Sequence, residues 1–324
     1  MKNKSFYVIA VAAVMLFLSS CDKEESIQST ETSQSITLKN GMIVFNTIDD
    51  FEKTIESLMK NQSNLDQWEK NFNGFTSMRT AYDNLSEDDM QKIASNKSSH
   101  QFIDILKISD DQEPEALMNI DDEILATLVN ENGLLQIGND VYKFRYDMLY
   151  KVAYKDLDKL ANIDRYSKAD LKSNTIETFE VSHNYFVTDL SENFKADRTC
   201  DRRYWKKDRK RLKGEQWTTN IGSLYSGAGA RTKHQKKTLG IWWRNKTQRL
   251  RLRLNGNYTQ VFQGIPQPPI AVNEDSGWAT DDGREAYTFD FCVNVNCSFQ
   301  INSLTSTHEC TCDDGNYESC TIVF

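Results

Sequence analysis

The sequence predicts an α+β protein in which a mainly helical N-terminal module, residues 38–174, precedes a disulfide-braced antiparallel β domain, residues 175–324. Three observations lead to this fold class. Apolar residues recur at helical spacing in the first part, whereas β-branched and aromatic residues alternate with polar ones in the second. Six of the seven cysteines lie in the second part. The simplest architecture for that part is a sandwich or a partly closed barrel.

Length and composition are those of a folded protein. The 324 residues make two domains the simplest expectation. Hydrophobic residues are 39% and aromatic residues 11% of the chain, which provides enough apolar material for a core. The composition therefore excludes wholesale disorder, a collagen-like chain and a polytopic membrane protein.

The first twenty residues have the pattern of a secretory signal peptide. Lys2 and Lys4 form a basic start, and the apolar run over residues 8–18 is too short to span a bilayer comfortably. Residues 18–21, Leu-Ser-Ser-Cys, resemble the bacterial lipoprotein box, in which the cysteine thiol carries diacylglycerol. We therefore expect cleavage before Cys21 and lipidation of Cys21. The alternative is an ordinary secreted protein in which Cys21 is a free thiol.

The segment after Cys21 predicts where the mature protein is held. Residues 21–37 are rich in Ser, Thr and Gln and have no apolar period, as expected for a flexible stalk. Residues 22–25, Asp-Lys-Glu-Glu, are similar to the export tag of surface lipoproteins of Bacteroidota. Two or three acyl chains hold a protein on a membrane nearly permanently. The sequence thus predicts a protein that is lipid-anchored to the outer membrane and exposed at the surface.

Two capping signatures and several apolar stripes predict the helices of the first module. Thr47 with Asp50, and Ser86 with Asp89, each have the spacing of a capping box. Apolar stripes with helical spacing cover residues 51–59, 65–72, 90–93, 102–106 and 124–129. Pro114 can start a further helical turn.

Strands are predicted at three places in the same module. Residues 41–45 form a short apolar run before the first helix. Apolar and polar residues alternate over residues 134–144, around Gly138 and Asn139, and this pattern predicts a hairpin. Residues 148–162 predict a strand and a short helix.

Six cysteines in the β domain predict up to three disulfides in an oxidising compartment. They are Cys200, Cys292, Cys297, Cys310, Cys312 and Cys320. Their pairing stays open, although Cys310 and Cys312 are too close for an unstrained mutual bridge and should point the same way from one strand. A bridge from Cys200 to the C-terminal cluster would close a loop of about a hundred residues.

A metal site is the alternative use of these cysteines. It would combine His308, Glu309, Cys310 and Cys312 with Cys297 or Cys320. Zinc sites usually place two to four residues between paired cysteines, whereas one residue separates this pair. The spacing favours disulfides over a metal, and no pattern in the sequence predicts a cofactor.

The net charge of −8 conceals an uneven distribution. Residues 21–199 hold 19 Lys and Arg against 34 Asp and Glu, residues 200–254 hold 17 against 3, and residues 255–324 hold 1 against 10. These counts give net charges of −15, +14 and −9. The +14 segment begins with a dense basic stretch at residues 202–211, which predicts a hairpin or an exposed edge.

An arginine ladder is the most informative part of the +14 segment. Residues 249–254 alternate Arg and Leu, so a strand places the leucines on the core face and Arg249, Arg251 and Arg253 on the other face. These arginines are about 6.6 Å apart along the strand. Like charges at this spacing need water or an anionic neighbour.

Two adjacent tryptophans lie just before the ladder. If Trp243 points into the core, Trp242 points outward, because neighbouring strand residues face opposite sides. An outward Trp242 beside Arg244 would stack on a sugar or a base while arginines bind phosphate or carboxylate groups. The alternative is that Trp242 lies under a loop. The arginines would then pair with Asp281, Asp282, Glu274 or the acidic first module.

Catalytic motifs are missing from the sequence. It contains no His-Glu-x-x-His, no Gly-x-Ser-x-Gly, no phosphate-binding glycine loop and no EF-hand pattern. The four histidines are widely separated, and the acid pairs at residues 49–50, 110–111 and 121–122 lie where helices are expected to begin. A hydrolase that uses two dispersed carboxylates stays open as an alternative, because such carboxylates can be far apart in sequence.

Three stretches, at residues 38–45, 65–75 and 128–143, resemble a group of uncharacterised secreted lipoproteins of Bacteroidota. The last stretch is similar to their recurring hairpin with Asn-x-x-Gly, Ile-Gly-Asp and Tyr-Lys. The resemblance covers about residues 21–160. It implies a Gram-negative envelope lipoprotein, and it brings no activity, cofactor or catalytic residue.

These observations predict a non-enzymatic surface lipoprotein that binds an anionic polymer, a glycan or a protein partner. The predicted ligand residues are Trp242, Arg244, Arg249, Arg251 and Arg253. Basic patches are unspecific and the envelope holds little nucleic acid, which disfavours nucleic acid as the partner. The alternative functions are a hydrolase of surface polysaccharide or peptide and a structural assembly component.

Overall fold

The computed structural model describes residues 36–97, 101–165, 171, 175–184, 199–205 and 207–324. The predicted signal peptide, Cys21 and most of the predicted stalk lie outside these ranges. Strands hold 52% and helices 20% of the structure. Residues 35–324 belong to one compact unit.

The largest sheet has eleven strands in the described ranges and is antiparallel except for one parallel pair, β2 with β5. Its strands are β1 (Ile36–Lys39), β2 (Met42–Phe45), β5 (Leu134–Ile137), β6 (Asp140–Arg145), β7 (Met148–Ala153), β8 (Glu177–Asn184), β9 (Thr199–Tyr204), β10 (Lys210–Ile221), β11 (Tyr225–Thr238), β12 (Ile241–Arg244) and β17 (Arg284–Val293). The order is β1-β2-β5-β6-β7-β8-β10-β11-β12, with β9 paired to β10 and β17 paired to β11.

A second sheet is built around one long strand. Its strands are β13 (Thr247–Phe262), β14 (Ile265–Pro266), β15 (Ile270–Asp275), β16 (Ala279–Asp282), β18 (Cys297–Thr311) and β19 (Tyr317–Val323). β13 pairs with β18 and also with β14, β15 and β16, and β19 pairs with β18. A separate two-stranded ribbon consists of β3 (Leu106–Ile108) and β4 (Ala116–Met118).

The helices are short and lie in the first half of the chain. They are α1 (Ile48–Lys60), α2 (Leu65–Glu69), α3 (Met78–Asp83), α4 (Glu87–Ser95) and α5 (Glu123–Leu128), with 3₁₀ helices at Gln62–Asn64 and Tyr154–Arg165. Both predicted capping boxes are confirmed: the Thr47 and Ser86 side chains accept hydrogen bonds from the backbone N–H groups of Asp50 and Asp89. Among the described helices, none combines the length and the apolarity needed to cross a bilayer.

The predicted α+β class with a mainly helical first module is wrong. The first half contains strands β1 to β7, and of its α-helices only α1 exceeds nine residues. The stripe at residues 102–106 leads into β3, and β4 follows the predicted helix start at Pro114. A stripe of three or four apolar residues also fits a turn that packs on a sheet, and so short a segment gains little from helix propagation.

Two other local predictions are confirmed. The hairpin around Gly138 is formed by β5 and β6, and residues 148–165 form β7 and a 3₁₀ helix. The large sheet continues past residue 174, since β7 pairs with β8 and β8 pairs with β10. The basic stretch at residues 202–211 lies in the antiparallel β9–β10 pair.

β10 and β11 are covered on both faces, and this places charged residues in the interior. Gln216 faces the second sheet and donates to the Ser306 hydroxyl at 3.0 Å. A Cβ atom at Gly214 would lie 2.2 Å from the His308 ring, so the close approach of the two sheets requires glycine there. Lys213 and Glu215 alternate with these residues and therefore point to the opposite face, toward the first half of the chain.

Candidate ligand-binding cleft

The basic +14 segment meets the acidic first half in a buried ion cluster around Glu115. The Glu115 carboxylate, 4% exposed, accepts hydrogen bonds from Arg211 at 2.9 Å, Lys213 at 2.7 Å and Gln235 at 2.8 Å, and it pairs with Lys233. Burial opposes ionisation, but Lys233, Lys213 and Arg211 outweigh it and lower the pKa of Glu115 to about 2. These cations are therefore neutralised inside the protein.

Glu215 forms the second centre of the same cluster. Its carboxylate, on a residue 1% exposed, lies 2.7 Å from Lys213 and 2.9 Å from Lys233, and it accepts two hydrogen bonds from Arg231. Arg231 also pairs with Asp121 of the first half at 3.2 Å. The acidic first half and the basic segment thus hold each other together through desolvated charges.

Trp242 lies in the interior, and the expectation that it points outward is wrong. It is 0% exposed, and its backbone N–H donates to the Pro114 carbonyl at 2.8 Å. The Arg211 guanidinium carbon lies 4.3 Å from its ring centroid. Trp243, 2% exposed, is buried on the other face. The segment at Pro114 and Glu115 pairs with the edge of β12, and the side chains of Arg203, Arg211 and Lys237 lie over the Trp242 ring. Trp242 is therefore covered, although by cationic side chains rather than by the loop of the alternative.

The alternation predicted at residues 249–254 is confirmed. Leu250, Leu252 and Leu254 are 0%, 1% and 2% exposed. On the outer face, Arg251 pairs with Asp275 and Arg253 pairs with Glu309 at 2.8 Å. Arg249 is exposed and its nearest hydrogen-bond acceptor is the Thr311 hydroxyl at 3.4 Å. The described residues provide no ion pair for Arg249.

A tryptophan does lie beside the arginine ladder, but it is Trp278, between β15 and β16. Its ring centroid is 5.1 Å from the Arg249 guanidinium carbon and 5.6 Å from that of Arg251. The residue is 37% exposed. Cation–π contact with both arginines holds the indole at the surface and leaves part of it open to solvent.

Trp278 lines the smaller part of a cleft, which consists of two contiguous parts of about 680 and 360 Å³. Five residues line both parts: Asp66, Arg79, Asp83, Arg244 and Asp282. Helices α2, α3 and α5 contribute one wall. β12, β16, β17 and the loop that carries Trp278 contribute the other. The volume suits a small organic ligand or a few sugar units.

Arg244 is the predicted ligand residue that lines the centre of the cleft. Its guanidinium lies 3.4 Å from Asp83 and pairs with Asp282, one of the predicted acidic partners. Arg284 bridges Asp83 and Glu123 from the same nitrogen, at 3.2 Å each. Burial opposes ionisation of Asp282, yet Arg244 and backbone N–H groups outweigh it and lower its pKa. Among the other predicted partners, Glu274 lies on β15 and the Asp281 side chain lies outside the described part.

Glu285 differs from the other carboxylates of the cleft. It lines the part next to Trp278 and is half-buried. Within the described ranges its carboxyl forms no hydrogen bond and no ion pair. Burial, Asp282 and Glu123 raise the pKa of Glu285 to about 8, so this carboxyl is mostly neutral at pH 7.

The cysteines form two bridges and a close thiol pair. Cys200 is bonded to Cys320 and Cys292 to Cys297. Cys310, at the end of β18, and Cys312, just after it, are buried thiols with their Sγ atoms 2.8 Å apart.

The residues of the alternative metal site point apart. His308 contacts Thr232 at 2.8 Å in the interior, whereas Glu309 contacts Arg253 on the outer face. The described part of the chain holds no group of three or more His, Cys, Asp or Glu side chains arranged to bind a metal ion.

Comparison with solved structures finds a match of low sequence identity and low TM-score. A DUF4848 family protein from Bacteroides thetaiotaomicron is 12% identical, with a TM-score of 0.26 over 89% of this chain and 100% of that chain. No protein-family model matches this chain, and no curated protein matches it.

Proposed function

We propose that this chain is a cell-envelope lipoprotein that binds an anionic glycan in the cleft beside Trp278. The signal-peptide pattern, the Leu-Ser-Ser-Cys box and the resemblance to Bacteroidota lipoproteins support an anchor on Cys21. An acidic tag after the anchor supports exposure at the outer face of the outer membrane. The membrane is then a partner through the lipid, and the cleft faces ligands outside the cell.

The observation that carries the glycan assignment is the partly exposed indole of Trp278 in the lining of a polar cleft. A flat aromatic ring stacks on the apolar face of a sugar, while surrounding carboxylates and guanidinium groups bind its hydroxyls. Trp278 provides the ring, and Arg244 and Asp282 line the same part of the cleft and provide groups of each charge. Arg249, which has no acidic partner in the described ranges, favours a ligand with negative charge.

Replacing the indole tests this assignment directly. Trp278→Ala is expected to weaken binding about tenfold, because losing the apolar contact between the indole and the sugar face should cost about 1.4 kcal/mol. The measurement is calorimetric titration with neutral, carboxylated and sulfated oligosaccharides. The same mixtures, analysed for shortened chains, test the alternative of a hydrolase.

Trp205→Ala is the matched control for Trp278→Ala. Trp205 is 38% exposed, and the Lys210 Nζ atom lies 4.5 Å from its ring centroid. Unlike Trp278, it does not line the cleft. Its removal should leave the dissociation constant unchanged. Equal losses in the two variants, or unchanged binding by Trp278→Ala, would remove the basis of the proposal.

The anchor is tested by Cys21→Ala in the full-length precursor. The wild-type protein should incorporate labelled palmitate and sediment with membranes, whereas the variant should do neither, because a protein without acyl chains lacks the hydrophobic anchor. Ser26→Ala, just beyond the lipoprotein box, should behave as the wild type. A Cys21→Ala protein that still sediments with membranes would contradict a lipid anchor at this position.

A further inference from the structure

We propose that Glu285 selects anionic over neutral sugars, by donating a hydrogen bond from its carboxyl group to a carboxylate or sulfate oxygen of the ligand. This inference rests on the proposed glycan binding and adds the group that recognises the charge. Glu285 lines the same part of the cleft as Trp278. A sugar stacked on the indole therefore places its substituents near this carboxyl.

The charges of the cleft identify Glu285 as the unpartnered acid. Six acids line the two parts, namely Asp66, Glu69, Asp83, Glu123, Asp282 and Glu285. Five cations line them, namely Lys70, Arg79, Arg244, Lys246 and Arg284. The other five acids each contact an arginine, whereas Glu285 contacts none within the described ranges. Ionisation of Glu285 thus changes the lining from neutral to net negative.

The groups around Glu285 favour its neutral form. Burial of its carboxyl and the negative charges of Asp282 on β16 and Glu123 on α5 raise the pKa of Glu285 to about 8. Burial raises the pKa of Glu123 as well, but Glu123 has Arg284 as its ion-pair partner.

The other charged groups near the cleft are paired or neutral, so they do not change the preference of Glu285 for its neutral form. On α2 and α3, Asp66 pairs with Arg79, and on β12 Arg244 is shared by Asp83 and Asp282. Opposite Glu285 on β11 lies Thr232, which contacts His308 of β18. Burial lowers the pKa of His308 to about 3, so this ring is neutral at physiological pH.

A neutral carboxyl group in a ligand cleft discriminates by charge. Its O–H group donates a strong, charge-assisted hydrogen bond to an anionic oxygen. After ionisation the same group repels that oxygen. A neutral sugar offers only hydroxyls, which donate to a carboxylate as readily as they accept from a carboxylic acid. Loss of affinity with rising pH is therefore specific to anionic sugars.

The test is a pH series with three oligosaccharide probes: a galacturonic acid trimer, a sulfated galactose trimer and an unmodified galactose trimer. For at least one anionic probe, the wild-type dissociation constant should rise about tenfold between about pH 6.5 and about pH 9, since only about a tenth of Glu285 is then protonated. The neutral probe should change less than about twofold. The two anionic arms distinguish a carboxylate from a sulfate ligand.

Glu285→Gln separates Glu285 from other titrating groups. The amide keeps the shape and a hydrogen-bond donor but cannot ionise, so the variant should bind the anionic probe equally well at both pH values. A tenfold loss that persists in Glu285→Gln overturns the inference, as does an equal loss for the neutral probe. Binding of the neutral trimer alone overturns this inference and the anionic part of the proposed function, but it leaves glycan binding in the cleft intact. Binding of none of the three, at either pH, overturns both proposals.

Discussion

Glu115→Gln is expected to destabilise the protein by about 3–5 kcal/mol, because it removes one of the two buried carboxylates that neutralise a cluster of buried cations. Arg211, Lys213 and Lys233 all contact the Glu115 carboxylate, and each of these three residues is less than a fifth exposed. Urea unfolding at neutral pH measures the difference. The substitution keeps the side-chain volume, so the loss reports charge rather than packing.

The pH dependence of stability provides a second test of the stability that the ionised Glu115 carboxylate contributes. A carboxyl whose pKa is lower in the folded than in the unfolded protein contributes stability at neutral pH, and that stability is lost as the pH falls. The window runs from the ordinary pKa of glutamate, about 4.3, toward the value of about 2 in the folded state. Glu115→Gln should lack this part of the acid dependence.

Glu113→Gln is the matched control, two residues away on the same segment. Glu113 pairs with Arg203 and with Lys237 at 3.1 Å, but it is 36% exposed and water screens the pair. Its removal should cost less than about 1 kcal/mol. Comparable losses for Glu113→Gln and Glu115→Gln would show that the buried cluster contributes no more than a surface ion pair.

Features encoded by neighbouring residues could be predicted from the sequence. The capping boxes at Thr47 and Ser86 and the hairpin at Gly138 each depend on residues within one turn or one hairpin. The alternation at residues 249–254 fixes which side chains are buried whatever covers them. Such local rules need no knowledge of the tertiary fold.

Features that depend on distant partners could not be predicted. The basic segment is neutralised by Glu113 and Glu115, about a hundred residues earlier, and no spacing rule connects them to Arg211. Trp242 is buried because Arg203, Arg211 and Lys237 lie over its ring and the segment at Pro114 pairs with the edge of its strand. A period of two indicates that a strand has two faces, but not that both are covered.

The site was predicted only in part for the same reason. Arg244, Arg249 and Arg251 do lie in or beside the cleft, because the arginine ladder and β12 approach it. Trp278 and Glu285 carried weak signals: a lone tryptophan after a glycine turn, and an acid beside an arginine. Only the fold brings them together next to Asp282.

Replacing both cysteines of the Cys200–Cys320 bridge with serine is expected to lower the free energy of unfolding by about 5 kcal/mol. The two residues are 120 positions apart, and the chain-entropy model assigns about that value to so long a loop. The bridge joins β9 of the large sheet to β19 of the second sheet. Its loss therefore frees much of the unfolded chain and removes a covalent link between the two layers.

The short bridge provides the control for this prediction. Cys292 and Cys297 are five positions apart, so the same double substitution there should cost about 2 kcal/mol. Urea unfolding without reductant measures both variants, and mass spectrometry after thiol alkylation verifies that Cys310 and Cys312 have not formed new bridges. A difference of about 3 kcal/mol is expected from loop length alone. Equal losses would mean that local packing around each bridge, rather than the entropy of the unfolded chain, determines its contribution.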